Sequence, residues 1–208
     1  MNATAIALAR NDADIIEAFV RHHLTYVDLL VVVDNASFDG TREILEALRQ
    51  EGLPLMIVDD PTHSADESDQ LTRLYRRVAP VFNPELVYLL EADQFIRAQD
   101  RATLEAELSG LPLGATAALR RQHYIPDAIT AAKSVLADPL ALIVNRSGAQ
   151  DQEECPLVLR RDPADDDRLV IAGIGQPMRR GDETLPGYLA EGATLACMPA
   201  RCTEQLTA

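Results

Sequence analysis

The chain has 208 residues, 47% apolar and 25% charged, the balance of an ordinary soluble globule with room for one large α/β domain or two small ones. Its 33 acidic residues against 19 Lys and Arg give a formal charge of −14. That disfavours a nucleic-acid or anionic-membrane partner but leaves room for a phosphate-bearing ligand carried on a divalent cation. The three cysteines, Cys155, Cys197 and Cys202, form no CxxC pair and fit a reducing, cytoplasmic setting better than a disulfide framework or a zinc site.

No apolar run approaches the roughly 20 residues of a transmembrane segment. The start, MNATAIALARND, has no basic region ahead of its apolar stretch, so it reads as a strand, Ala3 to Ala9, and not as a signal peptide. Arg10-Asn11-Asp12 is the turn after it. Asn11 or Asp12 is placed to cap a helix on which Ile15, Ile16, Phe19, Val20 and Leu24 recur at helical spacing. The stretch Leu29 to Thr41, LLVVVDNASFDGT, organises the rest. Its apolar run has no polar alternation and reads as a strand buried on both faces, ending in the short polar residues Asp34, Asn35, Ser37 and Asp39.

Thr41 opens a second helix carrying Ile44, Leu45 and Leu48, with Gly52 at its C′ position. Leu55 to Val58 is a third strand ending in Asp59-Asp60. A third helix buries Leu71, Leu74, Tyr75 and Val78 and is expected to stop before Pro80. Leu86 to Leu90 is a fourth strand running into Glu91-Ala92-Asp93. Strands alternating with helices predict a parallel sheet with right-handed crossovers. The acidic and amide ends of its strands then gather along one carboxyl edge, where open α/β sheets bind ligands.

After Asp93 the pattern loosens. Arg101 to Leu108 reads as a helix, and Ala115 to Tyr124 as a strand carrying Arg120, Arg121 and His123. Ala141 to Val144 is a possible short strand, and Pro156 to Arg161 with Leu169 to Ile174 reads as an antiparallel pair around an acidic loop. The last 30 residues, rich in Gly and Pro, read mostly as loop. The fold class is α/β, with a mixed, mainly parallel sheet flanked by helices and an antiparallel C-terminal portion. No linker divides the chain, so residues 1–208 are expected to form a single domain.

The sharpest chemical signal is Glu91-x-Asp93. Two carboxylates just past a buried strand suit Mn²⁺ or Mg²⁺, which binds through one or two carboxylates plus phosphate oxygens and water. Two rivals fail on local sequence. No GxGxxG follows the first strand, as a dinucleotide-binding dehydrogenase requires. A phosphatase built on Asp39-Gly40-Thr41 would need a nucleophilic Asp where Ser37 stands.

Three motifs in order, ARNDADII with HHL, then VDNASFDGTREIL, then YLLEADQFI, resemble family 2 glycosyltransferases of the GT-A fold. They are most similar to a bacterial subgroup with RNE, DNxSxDGT and DADEF motifs. The resemblance covers residues 3 to 97 and continues faintly through Pro156 to Pro199. It implies a GT-A-like domain with a nucleotide-sugar half (1–97) and an acceptor half (98–208). It also implies transfer of a sugar from a nucleoside-diphosphate sugar, UDP-sugar being expected, to an acceptor hydroxyl. Carried over, Arg10 and Asn11 lie near the nucleotide, Asp34 faces base or ribose, Asp39 fixes the turn before Thr41, and Asp59 stands at the uracil edge. Asp14, Asn35 and Asp60 complete the nucleotide-sugar set. Asp93, with Glu91, holds the metal. His22-His23 matches the family's paired histidines, read as helix packing and a polar contact rather than metal ligation.

This sequence departs from the pattern at Glu91, where the family has Asp, and at Gln94, where it often has Glu. Two C-terminal histidines of the subgroup have no counterpart in Gly173-Ile174-Gly175-Gln176 or in Cys197 to Cys202. An inverting transfer also needs a carboxylate base, for which Asp127, Asp151, Glu153 and the neighbouring Glu154 are the acceptor-side candidates and none stands out. Arg120, Arg121 and His123 are placed to neutralise a leaving diphosphate. The alternative reading is a degenerate, non-catalytic domain that binds a nucleotide sugar.

Overall fold

The computed structural model describes residues 1–59, 67–125, 145–146 and 153–198. The first half follows the expected alternation: β1 (Ala3–Ala9), α1 (Ile16–His23), β2 (Leu29–Asp34), α2 (Thr41–Gln50), β3 (Leu55–Asp59), α3 (Glu67–Phe82) and β4 (Leu86–Glu91). All three strand pairings among these elements are parallel. β1 lies between β2 and β4, and its alternate residues Ala3, Ala5, Ala7 and Ala9 give it one face of small side chains. Gly52, at φ 90°, ends α2 at the C′ position, where a left-handed residue closes the helix.

The second half holds β5 (Gln94–Ala98), α4 (Arg101–Leu108), β6 (Thr116–Ile125), β7 (Asn145–Arg146), β8 (Glu154–Arg160), β9 (Leu169–Val170), β10 (Arg179–Arg180), β11 (Glu183–Thr184) and β12 (Gly187–Cys197). Nine strands share one sheet, in the order β3-β2-β1-β4-β8-β6-β12-β5 with β7 on β6, while β11-β10-β9 form a small antiparallel sheet. The mixed, helix-flanked sheet with an antiparallel C-terminal part is the expected fold class. No described helix is long and apolar enough to cross a membrane.

The sheet order imposes a strong curl. β4 and β5 are four strand positions apart, about 19 Å in a flat sheet at the usual strand spacing. Only Ala92 and Asp93 join them, and three peptide units span at most about 11 Å. The sheet must therefore bend until the end of β4 meets the start of β5. Irregular registers on both sides of β6 assist, since bulges sharpen local twist. The larger one, in β12, is stapled by the Glu107 carboxylate, which accepts from the N–H groups of Glu191 (2.7 Å) and Gly192 (3.1 Å).

Several sequence expectations change here. Neither Asn11 nor Asp12 caps α1 with its side chain. The Asp12 carboxylate turns back to the Arg10 N–H (2.8 Å), and its backbone carbonyl accepts from Ile15 and Ile16. Pro80 lies inside α3, because a proline this near the end forgoes one bond and Asn83 still closes the last turn on Ala79.

β8 does not pair with the strand that follows it; it lies between β4 and β6. The acidic loop after it instead closes on a buried ion pair. Arg161 donates to both oxygens of Asp166, and the Tyr75 hydroxyl donates to the same carboxylate (2.6 Å). The C-terminal residues to Cys197 are largely strand rather than loop, and β12 supplies eleven residues to the sheet. The expected strand at Ala141 to Val144 lies outside the described residues.

The paired histidines hold α1 against β5. His23 is fully buried, with Nδ1 bonded to the Phe19 carbonyl (2.9 Å) and Nε2 accepting from the Ile96 N–H (3.4 Å). His22 Nε2 donates to the Ile96 carbonyl (2.7 Å). Phe19 and Phe95 enclose the His23 ring at centroid distances of 4.3 and 5.7 Å. Burial, with a smaller contribution from His22, pushes the His23 pKa from 6.5 down to about 3, so the ring stays neutral in the folded chain. The unfolded chain then binds the extra proton. Stability is unaffected well above pH 6.5 and falls as pH drops toward 3, at up to about 1.4 kcal/mol per unit from this group. Urea unfolding between pH 7 and 4.5 should show a steeper loss for the native chain than for His23→Gln; equal slopes would contradict the neutral histidine.

Candidate functional site

Parallel registers bring the strand ends into line. Ala9 pairs with Asp34, Asp34 with Asp59, and Leu8 with Glu91, so the residues after β1, β2 and β4 share one carboxyl edge with the end of β3. The loops after β1 and β2 are clasped together. The Asn11 N–H donates to Ser37 Oγ (3.0 Å), and Asn11 Oδ1 accepts from the Phe38 N–H (3.0 Å). The Asp12 N–H donates to Thr41 Oγ1 (2.8 Å), and Asn35 N–H to the Ala9 carbonyl (2.9 Å). Asn11 (φ 56°) and Ala36 (φ 54°) both adopt the left-handed conformation that lets the chains turn toward each other.

Asp34 is buried at 6% exposure, and its Oδ1 accepts from the Ser37 N–H (3.0 Å). Asn35 Oδ1 accepts from the Gln70 amide (2.7 Å). Asp39 accepts from the Thr41 hydroxyl (2.6 Å), the Thr41 N–H and the Ala13 N–H. Desolvation opposes its charge, but these donors together outweigh it and hold the carboxyl below its ordinary range. Asp59 sits at the same edge and is ion-paired with Arg42. Arg10 and Asp14 are exposed in the turn before α1. Asp60, Asp127 and Asp151 lie outside the described residues.

Glu91 is the last residue of β4 and Asp93 the last before β5, so the pair occupies the pinch of the curl. Glu91 Oε2 accepts from the Gln94 side-chain amide (2.9 Å), while Gln94 Oε1 accepts from the Glu91 N–H (3.3 Å). The Asp93 carbonyl accepts from the Met198 N–H (3.0 Å), tying the turn to the end of β12. Among the described residues no group of three His, Cys, Asp or Glu side chains could hold a metal. Two carboxylates two positions apart at the end of β4, Glu91 exposed and Asp93 partly buried, still fit Mn²⁺ or Mg²⁺ when ligand phosphate and water supply the remaining oxygens.

Strand pairing places Gln94, Cys197 and His123 side by side, and Leu119 beside Cys155. Because side chains alternate along a strand, Gln94, Cys197, Arg121, His123 and Cys155 belong to one face. Burial pushes the Cys197 thiol up to about 12; Arg121 opposes this, and Asp93, Cys155 and Glu91 add to it. Cys155 is likewise raised by burial, against the pull of Arg121. Both are neutral thiols at neutral pH. Arg120 is on the opposite face, where it pairs with Glu191 (2.9 and 3.2 Å). The three basic residues of this strand therefore do not share a face, and of them only Arg121 and His123 lie on the face of Gln94 and Cys197. The pleat alone carries that distinction. Glu153 lies 3.5 Å from Arg121 and is exposed. Glu154, exposed at the start of β8, is registered with Arg120.

Sequence reasoning missed the role of Gly175. It has φ 72°, and a Cβ there would lie 2.5 Å from Cys155 Sγ and 3.1 Å from the Arg121 guanidinium. The turn that holds it, closed by Gln176 N–H on the Gly173 carbonyl, packs onto the same face.

No protein-family model matches the chain, and no curated protein matches it. Solved structures do. GalNAc-T7 with UDP, GalNAc and Mn²⁺ aligns over 98% of this chain and 44% of its own, at 9% identity and a TM-score of 0.54. The mannosyltransferase PcManGT from Pyrobaculum calidifontis, in complex with GDP-Man and Mn²⁺, aligns over 58% of this chain and 35% of its own (24% identity, TM-score 0.46). Glucosyl-3-phosphoglycerate synthase from Mycobacterium tuberculosis, with Mn²⁺, UDP and glucosyl-3-phosphoglycerate, aligns over 76% and 55% (15% identity, TM-score 0.44). The fold is of the GT-A kind. The chain spans between 35% and 55% of the length of these three proteins.

Gly175→Ala should cost about 2–4 kcal/mol, from the left-handed backbone and the clash with Cys155. Urea unfolding measures this, and Cys155→Ala in the same chain should recover part of the loss. A change below about 0.5 kcal/mol would contradict the close approach.

Proposed function

We propose that this chain is a glycosyltransferase that moves a sugar from a nucleoside-diphosphate sugar, a UDP-sugar foremost, to an acceptor hydroxyl. Residues 1–97 form its nucleotide-sugar half and residues 98–208 its acceptor half, within one GT-A-like unit. The observation that carries this reading is the alignment of Asp34, the Asn11 loop and Glu91-x-Asp93 on one carboxyl edge, the edge at which such sheets receive ligands. The likeness in fold to a protein solved with UDP and Mn²⁺ supports it.

Asp34, with one oxygen committed to Ser37, offers its other oxygen to a ribose or base donor. Arg10, Asn11, Asp14, Asn35, Asp39 and Asp59 line or brace the same edge, and Asp60, outside the described residues, is proposed with them on sequence alone. Asp39 acts by bracing: it fixes the turn that holds Asn11 and Ser37 in place. Glu91 and Asp93 hold the Mn²⁺ or Mg²⁺. When bound, the cation neutralises diphosphate charge and makes the nucleotide a better leaving group. The acceptor hydroxyl gives up its proton to a carboxylate, for which Glu153, Asp127 and Asp151 are the candidates.

A specific observation favours a second reading, a degenerate domain that binds the nucleotide sugar without transfer. The Gln94 amide holds Glu91 Oε2, which competes with metal for that oxygen. Calorimetric titration of UDP and GDP with and without Mn²⁺, followed by a donor-hydrolysis assay, separates the two. Metal-dependent binding with slow hydrolysis is expected of the enzyme. Binding without turnover, even with acceptors, supports the degenerate domain, and the absence of any nucleotide binding would sink both. Asp93→Ala should abolish the metal-dependent part of UDP affinity while leaving circular dichroism unchanged; unaltered affinity would refute the metal assignment. Asp34→Ala should weaken UDP about tenfold with or without metal, the loss of one buried charge-assisted hydrogen bond.

A further inference from the structure

Among the described arginines that form ion pairs, Arg161 and Arg121 have the least exposed side chains, at 4% and 23%. Their surroundings differ sharply. Arg161 has three bonds to the Asp166 carboxylate and one to Asn83. The more exposed Arg101 has Asp28, Glu105 and the Met1 carbonyl. Arg121 has one carboxylate, Glu153, at 3.5 Å and itself 68% exposed. Its other partner is the Cys155 sulfur at 3.0 Å, a neutral thiol and a weak acceptor, and its Nε is buried with no hydrogen bond.

Natural chains rarely leave a guanidinium this poorly matched, because its five donors are costly to remove from water. Gly175 lets the backbone of its turn come close to this pair, since a Cβ there would lie 2.5 Å from Cys155 Sγ and 3.1 Å from the guanidinium, and that backbone still leaves Nε without a hydrogen bond. Strand register puts Arg121 on the face of Cys197 and Gln94, the residue that follows Asp93.

We propose that Arg121 is the anion receptor of this site: its guanidinium binds a phosphate group of the ligand, which takes the place of the Glu153 carboxylate. The planar fork of an arginine suits phosphate oxygens, and a weak, exposed partner such as Glu153 is readily displaced. The proposal rests on the nucleotide-sugar reading for the identity of the phosphate, which is either the diphosphate of the donor or a phosphate on the acceptor. It does not rest on that reading for the existence of the receptor.

The test is calorimetric titration of the full chain with UDP, uridine and inorganic phosphate in low salt, using the native protein, Arg121→Gln, Arg121→Lys and Glu153→Gln. If the receptor holds the donor diphosphate, Arg121→Gln weakens UDP at least about tenfold and leaves uridine unchanged. Arg121→Lys keeps the charge and falls between. Glu153→Gln removes the competing carboxylate and tightens UDP, which a merely structural arginine would not produce. If the receptor holds an acceptor phosphate, Arg121→Gln spares UDP and abolishes the binding of inorganic phosphate to the UDP-loaded protein.

The inference is overturned if neither UDP nor phosphate affinity changes in Arg121→Gln, or, should that variant not fold, in Arg121→Lys and Glu153→Gln. It is also overturned if uridine weakens as much as UDP. Native protein that binds phosphate through Arg121 but no nucleotide would retain the receptor and discard the nucleotide-sugar reading. Native protein that binds UDP regardless of Arg121, with no phosphate effect, would do the reverse.

Discussion

Two residues, Ala92 and Asp93, connect β4 in the middle of the sheet to β5 at its edge, and the geometry of the whole site depends on that short link. A flat sheet cannot accommodate it. The strands between, β8, β6 and β12, must curve round, and in doing so they bring Cys197 and Cys155 toward the acidic end of β4. Glu91 and Asp93 have electrostatic influence on both Cys197 and, for Glu91, Cys155, as expected if the curl closes on this point. The same link explains why His22 and His23 stand where they do. By bonding both backbone groups of Ile96, they fasten β5 to α1 two residues beyond its start.

On the other side of the site the constraint is register rather than curvature. β1 is laddered in parallel on both edges, so the ends of β2 and β4 cannot shift against each other without losing a row of hydrogen bonds. A one-residue slip would also turn Asp34 to the opposite face. Rigidity at the edge comes from the loop clasp, in which Ser37, Asp39 and Thr41 satisfy backbone N–H groups of Asn11, Ala13 and Asp12. The polar residues of this stretch thus divide their work. Ser37, Asp39 and Thr41 brace the loops, while Asp34 is buried at the end of β2 with Oδ1 on the Ser37 N–H.

The first half of the fold was legible because each element there is written in local pattern. Apolar runs such as Leu29 to Val33 and the helical spacing of Leu71, Leu74 and Tyr75 need no partner to be recognised. The second half was not, because its strands are defined by distant partners. β12 contains two glycines and a bulge, and only pairing with β6 and β5 makes it a strand. The acidic run Asp162 to Asp167 looked like a hairpin loop, whereas Asp166 is there to neutralise buried Arg161.

Within the site, the acidic strand ends could be read from sequence, since a parallel sheet aligns them automatically. The separation of Arg120 from Arg121 follows from the pleat of one strand, whereas the bond between Glu91 and Gln94 and the fit of Gly175 over Cys155 are visible only in the folded chain. The central claim is that this carboxyl edge receives a nucleoside diphosphate through a cation on Glu91 and Asp93. A crystal of the chain grown with UDP and Mn²⁺, with data collected for manganese anomalous scattering, tests it most directly. The account predicts a single strong peak about 2 Å from carboxylate oxygens of Glu91 or Asp93, the diphosphate on its far side and the uridine beside Asp34. Nucleotide density elsewhere on the chain, or uridine at Asp34 with no peak at Glu91 and Asp93 under saturating Mn²⁺, would contradict it.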